Sequence, residues 1–159
     1  MIKINIICVG KIKEDYFTNA VKEYLKRLSK FALVNIIEVS EEKISDNPSE
    51  KEILIVKEKE GERLLSKIKD KDYVIALTLS KNELTSEAFA SKIKDIQNKY
   101  NSISFIIGGS YGLSDTLLNK VNYQLTFSKM TFPHQLFRVI LLEQIYRSFK
   151  INNNENYHK

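Results

Sequence analysis

Cysteine is nearly missing from this chain: of 159 residues only Cys8 carries a thiol. No intramolecular disulfide can form, so the fold has to rest on its own core, and 159 residues at 43% hydrophobic content are enough for one. Histidine is almost as rare. His134 and His158 lie far apart and have no cysteine beside them, which leaves no pattern of metal ligands, and no metal is expected. Glycine occurs five times, in an arrangement that excludes two phosphate-binding signatures. In Gly108-Gly-Ser-Tyr-Gly112, Ile107 stands where the first glycine of G-x-G-x-x-G would be, and the motif follows a late strand; no G-x-x-x-x-G-K-[ST] occurs. There are no repeats and no low-complexity segment, so one domain over residues 1–159 is expected. The opening Met1-Ile-Lys-Ile-Asn-Ile-Ile7 is too short and too polar in its alternation for a signal peptide or a membrane span, so a cytoplasmic protein is expected.

Acidic and basic residues are mixed along most of the chain, with a net charge of +5. The excess sharpens in residues 129–159, where Lys129, Arg138, Arg147, Lys150 and Lys159 oppose only Glu143 and Glu155. Such a stretch suits a solvated helix face or a surface turned toward RNA.

The hydrophobic period switches repeatedly between two and 3.6. Ile2 to Val9, Ala32 to Val39, Tyr73 to Leu79, Ile103 to Ile107 and Tyr123 to Phe127 read as strands. Between them, Glu14 to Lys30 and Thr85 to Tyr100 repeat apolar residues at three- and four-residue steps, as amphipathic helices do. Ser49 followed by Glu52 is a capping box and predicts a helix carrying Ile53, Leu54, Val56, Leu64, Leu65 and Ile68, with Gly61 as its weak point. Ser114-Asp115 opens a short helix through Val121, and Pro133 suits the first position of a last helix. Apolar residues cover too much of that last helix for packing on one side. A second subunit is the simplest account, the other being a central helix within one chain. The expected architecture is α/β, a mainly parallel five-stranded sheet with helices on both faces. The loops after Leu77, Ile107 and Phe127 then lie at the carboxyl ends of strands, where such sheets bind ligands.

Gly109-Ser-Tyr-Gly112 matches the GXXG of KH domains only superficially, because it leaves an apolar strand where a KH loop joins two helices. Three glycines so close together suit a turn or a backbone approach to a ligand. Cys8, ending an apolar strand, reads as a buried structural thiol. The site region thus holds loops, glycines and aromatic residues, but no acid–base pair. That composition suits a cofactor bringing its own activated group, such as a sulfonium methyl donor, for which the protein mainly binds and orients.

In Phe105-Ile-Ile-Gly-Gly-Ser-Tyr-Gly-Leu113, Leu125-Thr-Phe-Ser-Lys-Met-Thr-Phe-Pro-His-Gln-Leu-Phe-Arg138, Glu143-Gln-Ile-Tyr-Arg147 and Tyr157-His-Lys159, the chain resembles the SPOUT methyltransferases. Specifically, it resembles the RlmH family, which methylates N3 of a pseudouridine in large-subunit ribosomal RNA. Weaker echoes, Glu23-Tyr-Leu-Lys-Arg27 and Lys57-Glu-Lys-Glu-Gly61, extend the resemblance along the whole chain. It implies a C-terminal trefoil knot, an exception to the rule against threading. It also implies S-adenosylmethionine as cofactor, a homodimer whose site draws on both subunits, and ribosomal RNA, within the assembled ribosome, as partner. Carried over by motif, the cofactor contacts are Leu77, Gly108, Phe127, Ser128, Lys129, Met130, Thr131 and Phe132. Tyr157 and His158 fall near the methyl donor and target base, and Arg138 is a candidate contact to RNA or substrate. The chain departs from the family at Thr78, Lys81 and Asn82, where an acidic residue and a glycine-lysine pair are usual. That departure keeps two other readings in play, a binding module that has lost catalysis and a methyltransferase for another RNA such as tRNA.

Overall fold

The computed structural model describes residues 1–159. Five strands alternate with five helices: β1 Ile2–Val9, α1 Asp15–Leu28, β2 Ala32–Val39, α2 Glu50–Leu65, β3 Tyr73–Glu83, α3 Ser86–Gln97, β4 Ser102–Ile107, α4 Asp115–Leu118, β5 Tyr123–Thr126 and α5 His134–Asn152. The strands form one sheet in the order β2-β1-β4-β3-β5, and every strand pair is parallel. β1 and β4, buried along nearly their whole length, are its centre, which is why they read as continuous apolar runs.

Alternation along β1 divides the core. Ile4, Ile6 and Cys8 join Val21 and Leu28 of α1, Phe89 and Ile93 of α3, and Leu141, Leu142, Ile145 and Phe149 of α5 in one cluster. Ile7 and Val9 point the other way and pack with Leu64 of α2 and Leu117 of α4. Near the start of the strands this second face is polar: Ser104 donates to Asp72 Oδ2 (2.7 Å), Ser102 donates to the same carboxylate, and Asn5 donates to Ser104 (3.3 Å).

Local signals explain the helix boundaries. Ser49 and Glu52 form the complete capping box at α2. Thr85 accepts the N–H of Ala88 (3.0 Å) and caps α3, and Ser114 accepts the N–H of Leu117 (3.2 Å) and caps α4. α4 stops at Leu118, short of Val121: Asn119 is its C-cap, and the next N–H, of Lys120, turns to the tighter i−3 acceptor Leu117 O (2.9 Å). Pro133 has ψ of 134°, which is extended, so α5 begins at His134 with the proline as its cap residue.

α5 lies against the sheet with α1 on one side and α3 on the other, and its apolar Leu136, Val139 and Ile140 are only partly buried there. The third strand departs from expectation. β3 runs on past Leu79 to Glu83, with a register shift against β5. Side chains rather than apolar pattern hold that extension: Lys81 N–H donates to Thr126 Oγ1 (2.8 Å), and Asn82 Nδ2 donates to Gln124 O (3.0 Å). Asn82 adopts φ of +53°, a conformation asparagine tolerates better than most residues.

Candidate ligand-binding cleft

The loops after β3, β4 and β5 meet at the carboxyl ends of the strands around a cleft of about 340 Å³. One wall is the loop Gly108–Gly112. The other is Phe127 to Phe132 with the first turn of α5, His134 and Phe137, and the floor is Leu77, Thr78 and Ile107. The aromatic wall is braced from behind: Phe127 packs on Phe137 (5.1 Å between ring centroids) and on Phe89 (6.2 Å), and Phe132 stacks on Phe137 at 6.2 Å.

The glycines serve the loop before they serve any ligand. A Cβ on Gly108 would come within 2.9 Å of the Gly112 carbonyl carbon and 3.0 Å of Leu113 Cδ2, and one on Gly109 would meet Glu60 Oε1 at 2.9 Å. Gly112 has φ of +83° and donates its N–H to Gly109 O (3.1 Å). Of the two expectations, a turn and a backbone approach to a ligand, these contacts account for the turn: the glycines let the loop fold back on itself and onto α2, and its backbone lines the cleft as a result.

Of the residues carried over as cofactor contacts, Leu77, Gly108, Phe127, Ser128, Met130, Thr131 and Phe132 all line the cleft. Lys129 does not; it is exposed between them. Thr78, Ile107, Ser110, Tyr111, His134 and Phe137 line it as well, and the residue-by-residue reading missed them. For Phe137 a signal existed, since it stands one helical turn after His134 and shares its face.

Arg138 is not at the cleft. It is 1% exposed and donates to Glu38 Oε2 (2.6 Å), Gly10 O (2.7 Å) and Val9 O (3.3 Å), while its Nε has no partner. Its place as a substrate contact is corrected accordingly: the guanidinium is spent on tying α5 to the ends of β1 and β2. Cys8 is fully buried, as expected of a structural thiol. Burial is the main reason its pKa rises to about 11, and its thiol faces the Ile37 carbonyl (3.7 Å).

Tyr157 and His158 form a separate cluster on the outer side of α5. Tyr157 donates its hydroxyl to Glu143 Oε1 (3.1 Å), and its ring lies under the Arg147 guanidinium (4.8 Å) and edge-on to Tyr146 (5.0 Å). Burial, and then the Glu143 carboxylate, raise the Tyr157 pKa. His158 is engaged at both ring nitrogens, by Arg147 at Nδ1 (3.0 Å) and by Glu87 at Nε2 (2.7 Å). A smaller hollow of about 240 Å³ shares Phe127, Ser128 and Phe132 with the cleft and reaches Ser86 and Gln144, which are hydrogen-bonded to each other (2.9 Å). Glu87 and Glu143, which hold the tail, are sequence neighbours of that pair, and neither Tyr157 nor His158 lines the cleft.

Chemically, the cleft offers apolar walls, backbone groups, a few hydroxyls and one imidazole. No group of three or more histidine, cysteine or acidic side chains converges anywhere in the structure as a metal site would, and no helix is long and apolar enough to cross a membrane. Such a lining suits the binding and orienting of a ligand.

Similarity to known proteins points the same way. The proteins named ribosomal RNA large subunit methyltransferase H from Clostridium tetani (strain Massachusetts / E88) and Clostridium novyi (strain NT) are 59% and 56% identical over 157 residues, covering 98% of this chain and 99% of theirs. Among solved structures, a probable methylase family protein from Haemophilus influenzae Rd KW20 shares the fold with a TM-score of 0.56 at 14% identity, covering 98% of this chain and 70% of that one. A putative methylase family protein from Neisseria gonorrhoeae does so with a TM-score of 0.52 at 12% identity, over 90% and 81%. The family model described as "Predicted SPOUT methyltransferase" matches residues 2–158, which take in the whole of the parallel sheet and both walls of the cleft. The chain is thus a member of the SPOUT methyltransferase family, among the relatives named ribosomal RNA large subunit methyltransferase H.

Proposed function

We propose that this protein transfers a methyl group from S-adenosylmethionine to N3 of a pseudouridine in large-subunit ribosomal RNA. The observation that carries the reading is the cleft itself, a glycine loop facing an aromatic wall at the carboxyl ends of a parallel sheet, in a chain so similar to proteins named for that reaction class. The residues suit the cofactor. Leu77, Ile107, Phe127 and Phe132 present the flat apolar surfaces a heteroaromatic ring needs, Ser110, Ser128 and Thr131 supply hydroxyls, and no lysine or arginine lines the cleft to repel a cation. When bound, the cofactor supplies an activated methyl on a sulfonium whose leaving group is a neutral thioether. The chain's own contribution is then orientation, which is worth up to roughly 7 to 11 kcal/mol of barrier.

The target nitrogen loses a proton during transfer, and Tyr157 and His158 are the groups assigned to positioning the base or assisting that loss. A homodimer in which the tail of one protomer lies beside the cleft of its partner supplies what a single chain keeps apart. The same reading includes a C-terminal trefoil knot, work on the assembled ribosome, and a cytoplasmic location. The net charge of +5 supports a polyanionic substrate.

The test is incubation of the protein and labelled S-adenosylmethionine with ribosomes lacking the modification. Transfer to large-subunit RNA is expected, and His158→Ala should slow it by roughly two orders of magnitude while leaving cofactor binding nearly intact. Transfer to deproteinised tRNA instead would reassign the substrate, and ribosome binding without transfer would make the protein a binding module.

A further inference from the structure

Glu60, on α2, is a buried acidic residue. It is 3% exposed, and no cation pairs with it: Lys59 and Arg63 are both engaged by Glu42. Its Oε2 accepts the N–H of Glu42 (3.1 Å). Its Oε1 lies where a side chain on Gly109 would begin, 2.9 Å from the Cβ that the glycine lacks. Gly109 lines the cleft with the rest of its backbone, so a single glycine separates this carboxylate from whatever the cleft holds. Burial is the main influence on its pKa and raises it; Glu41 and Glu42 push the same way, while the Glu42 N–H and Arg63 oppose.

A buried carboxylate without a cationic partner costs stability, and such groups concentrate where function uses them. The cleft lining contains no acidic residue. Thr78 stands in its floor where the resemblance leads one to expect an acid. We infer that the Glu60 carboxylate, acting through the thin Gly109 backbone, makes the cleft prefer a cationic sulfonium ligand over the neutral thioether left after transfer. The inference rests on the reading of the cleft as a cofactor site. Coulomb attraction through a buried, water-poor layer falls off slowly with distance, so a charge behind the wall can act without contact. It vanishes once the sulfur is neutral, which favours exchange of spent cofactor for fresh. Glu60 is in these terms a specificity-determining residue, not a catalytic one. The absence of a side chain at position 109 is what lets it stand so close.

The experiment is calorimetric titration of the full-length protein with S-adenosylmethionine and, separately, with S-adenosylhomocysteine, for the wild type, Glu60→Gln and Glu60→Asp. Glu60→Gln keeps the shape and an acceptor for the Glu42 N–H. It is expected to weaken the sulfonium ligand about five- to tenfold and to leave the thioether within about twofold, the order expected of one charge acting without contact. Glu60→Asp keeps the charge, so the ratio of the two affinities should stay near the wild-type ratio even where both fall. A merely structural role predicts the opposite pattern, equal losses for both ligands in Glu60→Gln, and that result overturns the inference while leaving the cofactor reading intact. A wild type that binds neither ligand overturns the cofactor reading and this inference with it. Should Glu60→Gln not fold, Glu60→Asp and Glu60→Asn carry the same comparison of ratios.

Discussion

The two faces of the sheet are built differently. The face under α1, α3 and α5 holds a cluster of 19 buried apolar residues, the face under α2 and α4 only nine, and that imbalance assigns most of the stabilising burial to the first. The lighter face compensates with close, polar fits. Gly61 approaches Ser114 so nearly that a Cβ would sit 2.7 Å from its hydroxyl, Thr116 donates to Glu58 (2.9 Å), and Glu60 meets Gly109. All three contacts bear on the segment from Gly109 to Leu117, whose first part is a wall of the cleft. The heavy face keeps the protein folded, and the light face sets the shape and field of the ligand site.

Changes that separate these roles test the contrast directly. Phe105, fully buried on the heavy face against Phe89 at 6.2 Å, should give the largest effect. Phe105→Ala is expected to lose about 3 to 5 kcal/mol in urea unfolding, with ligand affinity little changed where the variant remains folded. Gly61→Ala should cost less stability, about 1 to 3 kcal/mol from overpacking, yet weaken cofactor binding because the glycine loop shifts with Ser114. Adding Ser114→Gly, which removes the obstructing hydroxyl, should restore part of both; a double variant no better than the single would count against the α2 buttress. Ser49→Ala at the α2 capping box should cost about 1 kcal/mol and leave binding alone, since Ser49 lies at the far end of that helix.

The smallest effect expected is also the most diagnostic. The pKa of Glu60 is raised in the folded state, so ionisation of this group opposes folding: its contribution is favourable below the unfolded carboxylate pKa and is lost as pH rises through the folded one. Glu60→Gln should therefore melt slightly higher than the wild type at neutral pH, and the gain should disappear on acidification below the carboxylate range. A variant that is more stable but prefers the sulfonium less would mark a functional charge; a lower melting temperature at neutral pH would return Glu60 to the scaffold.

The elements of the fold were legible because each is written in its own neighbourhood. The β-branched runs, the Ser49–Glu52 box and the Ser114 cap depend on residues a few positions apart, and all stand where local pattern puts them. The cleft was legible in part, through the Gly108–Gly112 and Phe127–Phe132 segments at strand ends. What escaped depends on distant residues. Nothing near Gly109 in sequence announces Glu60, and the polar stretch Ser80 to Glu83 reads as loop because its strand pairing relies on Thr126 and Gln124 across the sheet edge. Arg138 did leave a trace, a lone cation amid Phe137, Val139, Ile140, Leu141 and Leu142, but a buried arginine and a substrate-binding one look alike until Glu38 is found beside it.

That arginine also bears on how the chain reaches its fold. Its bond to Glu38 spans 100 residues and its bond to the Gly10 carbonyl 128, while β1 waits for a neighbour, β4, that follows it by about the same distance. Contacts of such separation close large loops and form late, which makes folding of this topology slow. A tie absent from the transition state governs escape from the native basin more than entry into it. Loss of the Arg138 anchor is accordingly expected to leave the refolding rate nearly unchanged and to hasten unfolding, so that the most deeply buried cation of the molecule acts as a latch on its lifetime.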